Sequence, residues 1–224
     1  MPITVQPLSD ACGAEIKGVD LRQPIDDETK RQIERTFHEH VVVVFRDQDI
    51  SEEEQIAFAN TFGGLGERRR SPNGSTPGGS YETPFMFVTN IRDEKTGEPI
   101  GAFGDGEMWF HHDMAFVDVP HKATFLYSIE VPQHGGNTKF ANMYDAFDRL
   151  PHQLKKTLSG KRVLQLFDYK ETSQPNLEEL HNVEHAWQPA IIQHPDTGRK
   201  ALYINRLMTA TIEGIPHDEA RKII

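Results

Sequence analysis

The spacing of apolar residues predicts a helix between Asp26 and His40 in the N-terminal part of the chain. Ile33, Phe37 and Val41 lie four residues apart, so they share one face of an α-helix. Asp26 stands just before this face, where an acidic side chain accepts hydrogen bonds from the free N–H groups of a first turn.

A second helix is predicted to begin at Ser51, because Glu54 follows it at the spacing of a capping box and Gly63 marks an end. Between the two helices, residues 41–45 read VVVVF. Five β-branched or aromatic residues in a row predict a central strand that is covered on both faces. Weak alternation with glycines near the start of the chain predicts short strands and turns.

Short strand-like runs dominate the rest of the chain. One helix is predicted from 143 to 150, ended by Pro151, and residues 196–198 (DTG) predict a hairpin turn. Two segments, 64–82 and 92–106, predict long loops. Many short strands without regular intervening helices predict an antiparallel barrel or sandwich. The predicted strands are FMFVTNI from residue 85, EMWFHHDMAF from 107, ATFLYSIEV from 123, NTKFAN from 137, KRVLQLFDY from 161, AIIQH from 190 and ALYINR from 201.

Composition argues against several classes of protein. The 224 residues have a formal net charge of −10, which argues against nucleic acid or an anionic membrane as a partner. No apolar stretch is long enough for a transmembrane helix, and the N-terminal residues lack the pattern of a signal peptide. Cys12 is the only cysteine, so no internal disulfide forms and a cytoplasmic location is expected.

Residues 107–116 place two histidines directly before an aspartate in an apolar run. On a strand, His111 and Asp113 would lie on one face and His112 on the other. An imidazole and a carboxylate at this spacing can bind one ion, and two histidines with one carboxylate form the facial triad of non-haem Fe(II) sites. On its own, however, a His-x-Asp motif is more often a hydrogen-bonded core pair than a metal site.

Five stretches, in order along the chain, resemble the TauD/TfdA family of taurine and phenoxyacetate dioxygenases, which depend on Fe(II) and 2-oxoglutarate. The resemblance runs from about residue 8 to the end and includes the His-x-Asp motif. It implies one domain over residues 1–224 in the mixed α+β class, with a double-stranded β-helix (jelly-roll) core and flanking helices. The stretches are GAEIKGVDL, VVVVFRDQDISEEEQIAFANTFGGLG, WFHHDMAF, IEVPQHGGNTKFANMYDAFDRLP and QHPDTGRKALYINRLMTATIEG.

The resemblance also implies an activity and a set of site residues. His111 and Asp113 would be the first two iron ligands, and Thr138 would donate a hydrogen bond to a carboxylate of the 2-oxoglutarate cosubstrate. The implied reaction uses dioxygen to hydroxylate a small organic substrate, expected to be anionic, and releases succinate and CO2. The identity of the substrate and the formation of a homo-oligomer stay open.

The sequence departs from the family pattern at its end. The resemblance implies a third ligand, a histidine, and then an arginine that binds the far carboxylate of 2-oxoglutarate, both expected beyond Ile224. Pro216 and the acids after it predict a helix that begins just before the chain stops. We therefore expect a chain that lacks its C-terminal part and binds iron weakly, with two ligands in place of three, and its own activity stays open.

Two other functions compete with this interpretation. Residues 181–185 read HNVEH, the H-x-x-E-H pattern of inverted zinc peptidases, which requires His181 and His185 on one face of a continuous helix with Glu184 as the base. Such a short pattern recurs by chance in a chain with 11 histidines, so zinc hydrolysis is the weaker alternative. The other alternative is a non-catalytic, truncated jelly-roll module.

Overall fold

The structure, a computed structural model, describes residues 3–66, 85–98, 100–101, 107–167 and 177–224, with only the backbone at 178, 179 and 182. Most of the loop predicted at 64–82, and part of that predicted at 92–106, lie outside these ranges. The elements in chain order are β1 (Thr4–Pro7), β2 (Ala14–Lys17), α1 (Asp27–His40), β3 (Val43–Val44), α2 (Glu52–Thr61), α3 (Met143–Arg149), α4 (His152–Leu158), β4 (Arg162–Leu166), a 3-10 helix (Leu177–Asn182), β5 (His185–Pro189), β6 (Ile191–Gln193), β7 (Lys200–Leu202), β8 (Thr209–Ile212) and α5 (His217–Ile223).

The chain divides into two compact units, and the first comprises Met1–Leu65, Phe125–Arg149 and Gln193–Ala201. Its sheet has the order β1-β2-β3, with β2 antiparallel to β1 and parallel to β3. The core forms where α1 contributes Ile33 and α2 contributes Phe58 against the sheet. Removal of these apolar side chains from water is the main force that holds the two helices in place.

Both predicted helix starts in this unit are correct. The Asp26 side chain precedes α1 and accepts a hydrogen bond from the backbone N–H of Thr29 at 2.8 Å. Ser51 and Glu54 form the capping box of α2: each side chain accepts a hydrogen bond from the backbone N–H of the other residue, at 3.2 and 2.7 Å. Two N–H groups that the helix itself cannot satisfy are thereby paired.

The central strand predicted at 41–45 is wrong. Val41 ends α1 with a φ of 69°, and only Val43–Val44 form a strand, at the edge of the sheet. Two residues of this apolar run still contribute to the core: the side chains of Val43 and Phe45 are half buried and pack against it.

The second unit comprises Gly66–Thr124, Leu150–Ile192 and Leu202–Ile224 and contains the antiparallel sheet β5-β4-β8. Strand β4 is buried on both faces. Val163 packs with side chains of α4 and α5, whereas Leu164 and Leu166 pack with leucines of the 3-10 helix. Successive residues of β4 therefore point alternately into two different parts of the core, as side chains on a β-strand do.

The strands predicted in the C-terminal third are confirmed as β4, β6 and β7, with the predicted hairpin turn between the last two. The helix predicted at 143–150 is confirmed as α3. By contrast, the runs predicted from 85, 107, 123 and 137 form no strand in the described residues. Their apolar side chains include Val88 and Ile129, which are exposed. A strand requires a neighbouring backbone to pair with, and local alternation does not supply one.

Within the part of the chain that the structure describes, no helix is long and apolar enough to cross a membrane.

Candidate metal centre

The segment that carries the His-x-Asp motif is a turn anchored in the core of the second unit. Ala115 and Phe116, directly after the motif, are buried, and the ring of Phe116 stacks on Phe167 with centroids 4.1 Å apart. Met114 has a φ of 56°, so the chain bends sharply just after Asp113. The motif thus stands at the edge of a packed cluster and not in the middle of a strand.

The structure brings His111 and Asp113 together. Nε2 of His111 lies 3.1 Å from Oδ1 of Asp113. Nδ1 of the same ring lies 2.9 Å from the carbonyl oxygen of Trp109, and since a carbonyl only accepts, Nδ1 carries the proton of that hydrogen bond. The hydroxyl of Thr124 donates to Oδ2 of Asp113 at 2.6 Å. Each side chain is therefore held by one partner, while Nε2 and Oδ1 face each other.

Without a metal ion, opposite charges explain why His111 and Asp113 pair. The hydrogen bond from His111 lowers the pKa of Asp113, against the opposing effect of burial and with help from Thr124. The same bond raises the pKa of His111, with burial again opposing. Nδ1 of His111 faces the carbonyl oxygen of Trp109, and Nε2 faces the carboxylate of Asp113. A proton on Nε2 therefore gives both oxygens a hydrogen-bond donor.

A divalent cation fits that position. It would replace the proton on Nε2, while the Nδ1 hydrogen bond to Trp109 would fix the tautomer, as backbone carbonyls commonly do for histidine ligands. The donors, one imidazole and one carboxylate without a thiolate, suit Fe(II). Among the residues that the structure describes, no third histidine, cysteine or carboxylate lies within ligand distance of both. If the pair binds a metal, it would supply two positions of a facial triad.

His112 has different neighbours. Its Nδ1 lies 3.2 Å from Nδ2 of Asn205, and its ring lies against that of Tyr203, with centroids 4.5 Å apart. Burial, with a further contribution from the positive charge of His111, lowers the pKa of His112 to about 4. Burial also raises the pKa of Tyr203 to about 12. His112 is therefore neutral at neutral pH and accepts from Asn205 through Nδ1.

Asn205 ends a chain of buried hydrogen bonds. Its Oδ1 accepts from the N–H of Met208 at 2.7 Å, and its own N–H donates to the hydroxyl of Thr209 at 3.0 Å. That hydroxyl donates to Oε1 of Gln165 at 3.1 Å, and Gln165 in turn donates to the carbonyl oxygen of Tyr203 at 2.9 Å. Each residue of this hydrogen-bonded network is paired with the next. The network therefore fixes the position of His112 against β4 and β8.

Sequence reasoning missed Thr124, Asn205 and Arg206. The guanidinium of Arg206 lies over the ring of Trp109, 4.5 Å from its centroid, two residues before His111. Asn205 and Arg206 reach the motif from a distant part of the chain, and no local signal marks Thr124, which lies 11 residues after Asp113. Asn205 and Arg206 lie in the stretch QHPDTGRKALYINRLMTATIEG, which the resemblance includes without assigning either residue a role.

Thr138, the residue expected to bind the cosubstrate, lies in the first unit, exposed and outside every helix and strand. The roles of His111 and Asp113 as iron ligands and of Thr138 as a cosubstrate ligand stay predictions.

The HNVEH segment does not form the continuous helix that a zinc peptidase site requires. His181 lies in the 3-10 helix, whereas His185 begins β5 and its Nδ1 lies 3.0 Å from the carbonyl oxygen of Val183. The two histidines therefore do not share a helical face, and the geometry gives no support to the hydrolase alternative.

Comparison with known proteins gives the class of this molecule and then its family. The class is that of the 2-oxoglutarate-dependent dioxygenases, and the family prediction is confirmed: the model described as "Taurine catabolism dioxygenase TauD, TfdA family" matches residues 4–224, and the chain belongs to that family.

Relatives and a solved structure agree with this assignment. The alpha-ketoglutarate-dependent 2,4-dichlorophenoxyacetate dioxygenase of Cupriavidus pinatubonensis is 29% identical over 100% of this chain and 80% of the relative. The (S)-phenoxypropionate/alpha-ketoglutarate-dioxygenase of Sphingobium herbicidovorans is 30% identical over 98% of this chain and 76% of the relative. A taurine dioxygenase structure from Burkholderia xenovorans superposes on this chain with a TM-score of 0.75 at 27% sequence identity. The superposition covers 99% of this chain and 69% of the taurine dioxygenase chain. The similarity implies the jelly-roll dioxygenase fold, and the described part of this chain is a mixed α/β structure with small sheets.

Proposed function

We propose that this protein uses Fe(II) and 2-oxoglutarate to hydroxylate a small organic anion. In the balanced reaction, substrate, dioxygen and 2-oxoglutarate give the hydroxylated substrate, succinate and CO2. The observation that carries the proposal is the 3.1 Å approach of Nε2 of His111 to Oδ1 of Asp113 in a chain that belongs to a dioxygenase family.

His111 would bind the iron through Nε2 and Asp113 through Oδ1. Fe(II), when bound, supplies the redox centre that couples decarboxylation of the cosubstrate to oxidation of a C–H bond. The carbonyl oxygen of Trp109 orients the imidazole, and the Thr124 hydroxyl holds the second carboxylate oxygen away from the metal position. The protein thus presents the two ligand atoms in fixed directions before any ion arrives.

Two observations support an anionic substrate. Two of the relatives that match over nearly the whole chain are named for 2,4-dichlorophenoxyacetate and (S)-phenoxypropionate, and both compounds are carboxylates. In this chain, the Arg206 guanidinium lies over Trp109, two residues from His111, and leaves a positive charge beside the motif. We propose that Thr138 binds a carboxylate of the cosubstrate through its hydroxyl, and that the protein acts in the cytoplasm.

The test of the proposed function is succinate release. Purified protein is incubated with Fe(II), ascorbate, 2-oxoglutarate and a set of phenoxyalkanoic acids, sulfonates and sulfate esters, and succinate and product are measured. We expect substrate-dependent succinate formation that Asp113→Asn abolishes and that Asp118→Asn, an exposed aspartate on the same segment, leaves intact.

Succinate formation that is unchanged in Asp113→Asn would disprove the assigned site. Failure of every candidate substrate, in a protein shown to be folded, would favour the non-catalytic module.

A further inference from the structure

Three further potential metal ligands lie together in the first unit, away from the residues used above. His38 lies in the last turn of α1, and His194 and Asp196 lie in the turn between β6 and β7. One ligand atom of each lies within 4.8 Å of the other two. Among the residues that the structure describes, this is the only group of three such side chains.

The distance from His38 to Asp196 suits two ligands of one ion better than a hydrogen bond. Nε2 of His38 lies 3.6 Å from Oδ2 of Asp196, which is longer than a hydrogen bond between nitrogen and oxygen. In a tetrahedral Zn²⁺ site with bonds of about 2.1 Å, neighbouring ligand atoms are roughly 3.4 Å apart. A small inward movement of the carboxylate is enough to reach that separation.

His38 also presents a buried nitrogen without a hydrogen bond. Among the described residues, Nε2 of His38 is shielded from solvent and has no hydrogen-bond partner. Buried polar atoms are nearly always paired, so an atom of this kind calls for an explanation. A cation between Nε2 and the carboxylate of Asp196 would satisfy both groups.

The surrounding contacts hold the turn against α1 without an ion. The rings of His38 and His194 meet edge to face, with centroids 4.7 Å apart. Arg199 donates a hydrogen bond to the carbonyl oxygen of His38 at 3.4 Å, and its guanidinium lies 3.9 Å from the ring centroid of Tyr144. The ligand side chains therefore lie close together in advance, which lowers the entropy cost of binding.

The hydrogen bonds of His194 oppose binding of the ion. Nδ1 of His194 accepts hydrogen bonds from the backbone N–H groups of Asp196 and Thr197 at 3.2 and 3.3 Å. Ligation by this ring competes with both bonds, although each is long. We therefore expect a dissociation constant in the micromolar range, weaker than that of a dedicated structural zinc site.

We propose that His38, His194 and Asp196 bind one Zn²⁺ ion that joins α1 to the β6–β7 turn. Two imidazoles and a carboxylate are ligands that tetrahedral zinc accepts, with water in the fourth position. Asp196 is exposed, so the fourth position is open to solvent. Zinc binds nitrogen and oxygen ligands more tightly than Fe(II) does, so Zn²⁺ is the ion that we propose for this site. The inference does not depend on the proposed function, because it uses none of the same residues.

The experiment is a titration of the full chain with ZnCl2, by calorimetry and by equilibrium dialysis with metal analysis. All variants are made in the Asp113→Asn background, so that the His111–Asp113 pair contributes no binding. We expect one equivalent of zinc in this background and at least a tenfold weaker affinity on addition of Asp196→Asn or His38→Asn. The matched control is His40→Asn, which removes a histidine from the same turn of α1 and should leave zinc binding unchanged.

Two results would overturn the inference: no zinc bound at micromolar concentrations in the Asp113→Asn background, or unchanged affinity after Asp196→Asn. Because Asp196 is exposed, its replacement by asparagine preserves the fold even if His38→Asn does not, and circular dichroism verifies this for each variant.

Discussion

At the scale of single residues, His111 is held at both nitrogens of its ring, and this fixes the direction of Nε2. The Trp109 carbonyl oxygen accepts from Nδ1 on one side, and the carboxylate of Asp113 faces Nε2 on the other. Thr124 holds Asp113 in turn through the second carboxylate oxygen. The proposed metal position is thus flanked by hydrogen bonds to Trp109 and Thr124, which are not themselves proposed as ligands.

Replacement of Thr124 by valine tests that arrangement. The change keeps the shape of the side chain and removes the hydroxyl that donates to Asp113, so the carboxylate becomes free to rotate. Loss of such an orienting partner typically weakens metal binding by about ten- to a hundredfold. We expect a loss near the lower end for Fe(II), measured by anaerobic calorimetry, with the thermal midpoint nearly unchanged. An unaltered affinity would show that Thr124 does not orient the ligand.

Replacement of Thr209 by valine tests the buried chain of hydrogen bonds behind His112. The hydroxyl of Thr209 is fully buried and pairs with both Gln165 and the N–H of Asn205, so both partners would lose their hydrogen bonds. We expect the free energy of unfolding to fall by about 1–3 kcal/mol. The matched control is Thr211→Val on the same strand, where the side chain is only half buried, and it should change stability by less than about 0.5 kcal/mol. Equal effects in the two variants, measured by urea unfolding, would contradict this interpretation.

The candidate site could be predicted from the sequence only in part. The spacing of His111 and Asp113 indicated a shared face, and the structure brings the two together although the segment is not a strand. Thr124 and Asn205 could not be predicted, because their contacts depend on how distant segments meet. Met114 shows the same limit: its positive φ creates the turn after Asp113, and nothing in the local pattern required it.

At the scale of elements, helices were predicted well and strands poorly, for one physical reason. A helix is stabilised by hydrogen bonds within its own segment and by caps such as Asp26 and Ser51, all of which are local. A strand is stabilised by a partner that the local pattern does not identify. The run at 161 became β4 because β5 and β8 pair with it on either side, whereas the run at 123 has no paired neighbour in the described residues.

The sheet of the second unit contains a pair whose pH dependence can be tested. Nε of Arg162, at the start of β4, lies 3.1 Å from Oε2 of Glu213, just after β8. The hydrogen bond from Arg162 lowers the pKa of Glu213. The folded state therefore favours the ionised carboxyl, and the stabilisation is present above the unfolded pKa and is lost as the pH falls through the lowered one.

We expect Glu213→Gln to lower the thermal midpoint slightly at neutral pH, because the pair is exposed and screened by solvent. The difference from the parent protein should shrink as the pH is lowered and vanish below the folded pKa of Glu213. Thermal unfolding over a series of pH values measures this, with Glu94→Gln, an exposed glutamate in a turn, as the control. A difference that grows towards acid pH would have the wrong sign for this account.

At the scale of the whole molecule, family membership and the geometry of the site support different parts of the proposed function. The family match over residues 4–224 gives the dioxygenase class, whereas the proposed metal position rests on the geometry of His111 and Asp113. Neither the family nor the fold names the substrate, because relatives of comparable similarity include a phenoxyacetate dioxygenase and an alkylsulfatase. Substrate choice therefore depends on residues outside the shared motif.

The most direct test of the central claim is anaerobic equilibrium binding of Fe(II), carried out in the Asp196→Asn background to remove the second candidate metal site. We predict weak, saturable binding of one equivalent, lost in Asp113→Asn and in His111→Asn and retained in Asp118→Asn. Fe(II) binding of equal strength with and without the carboxylate of Asp113 would contradict the account.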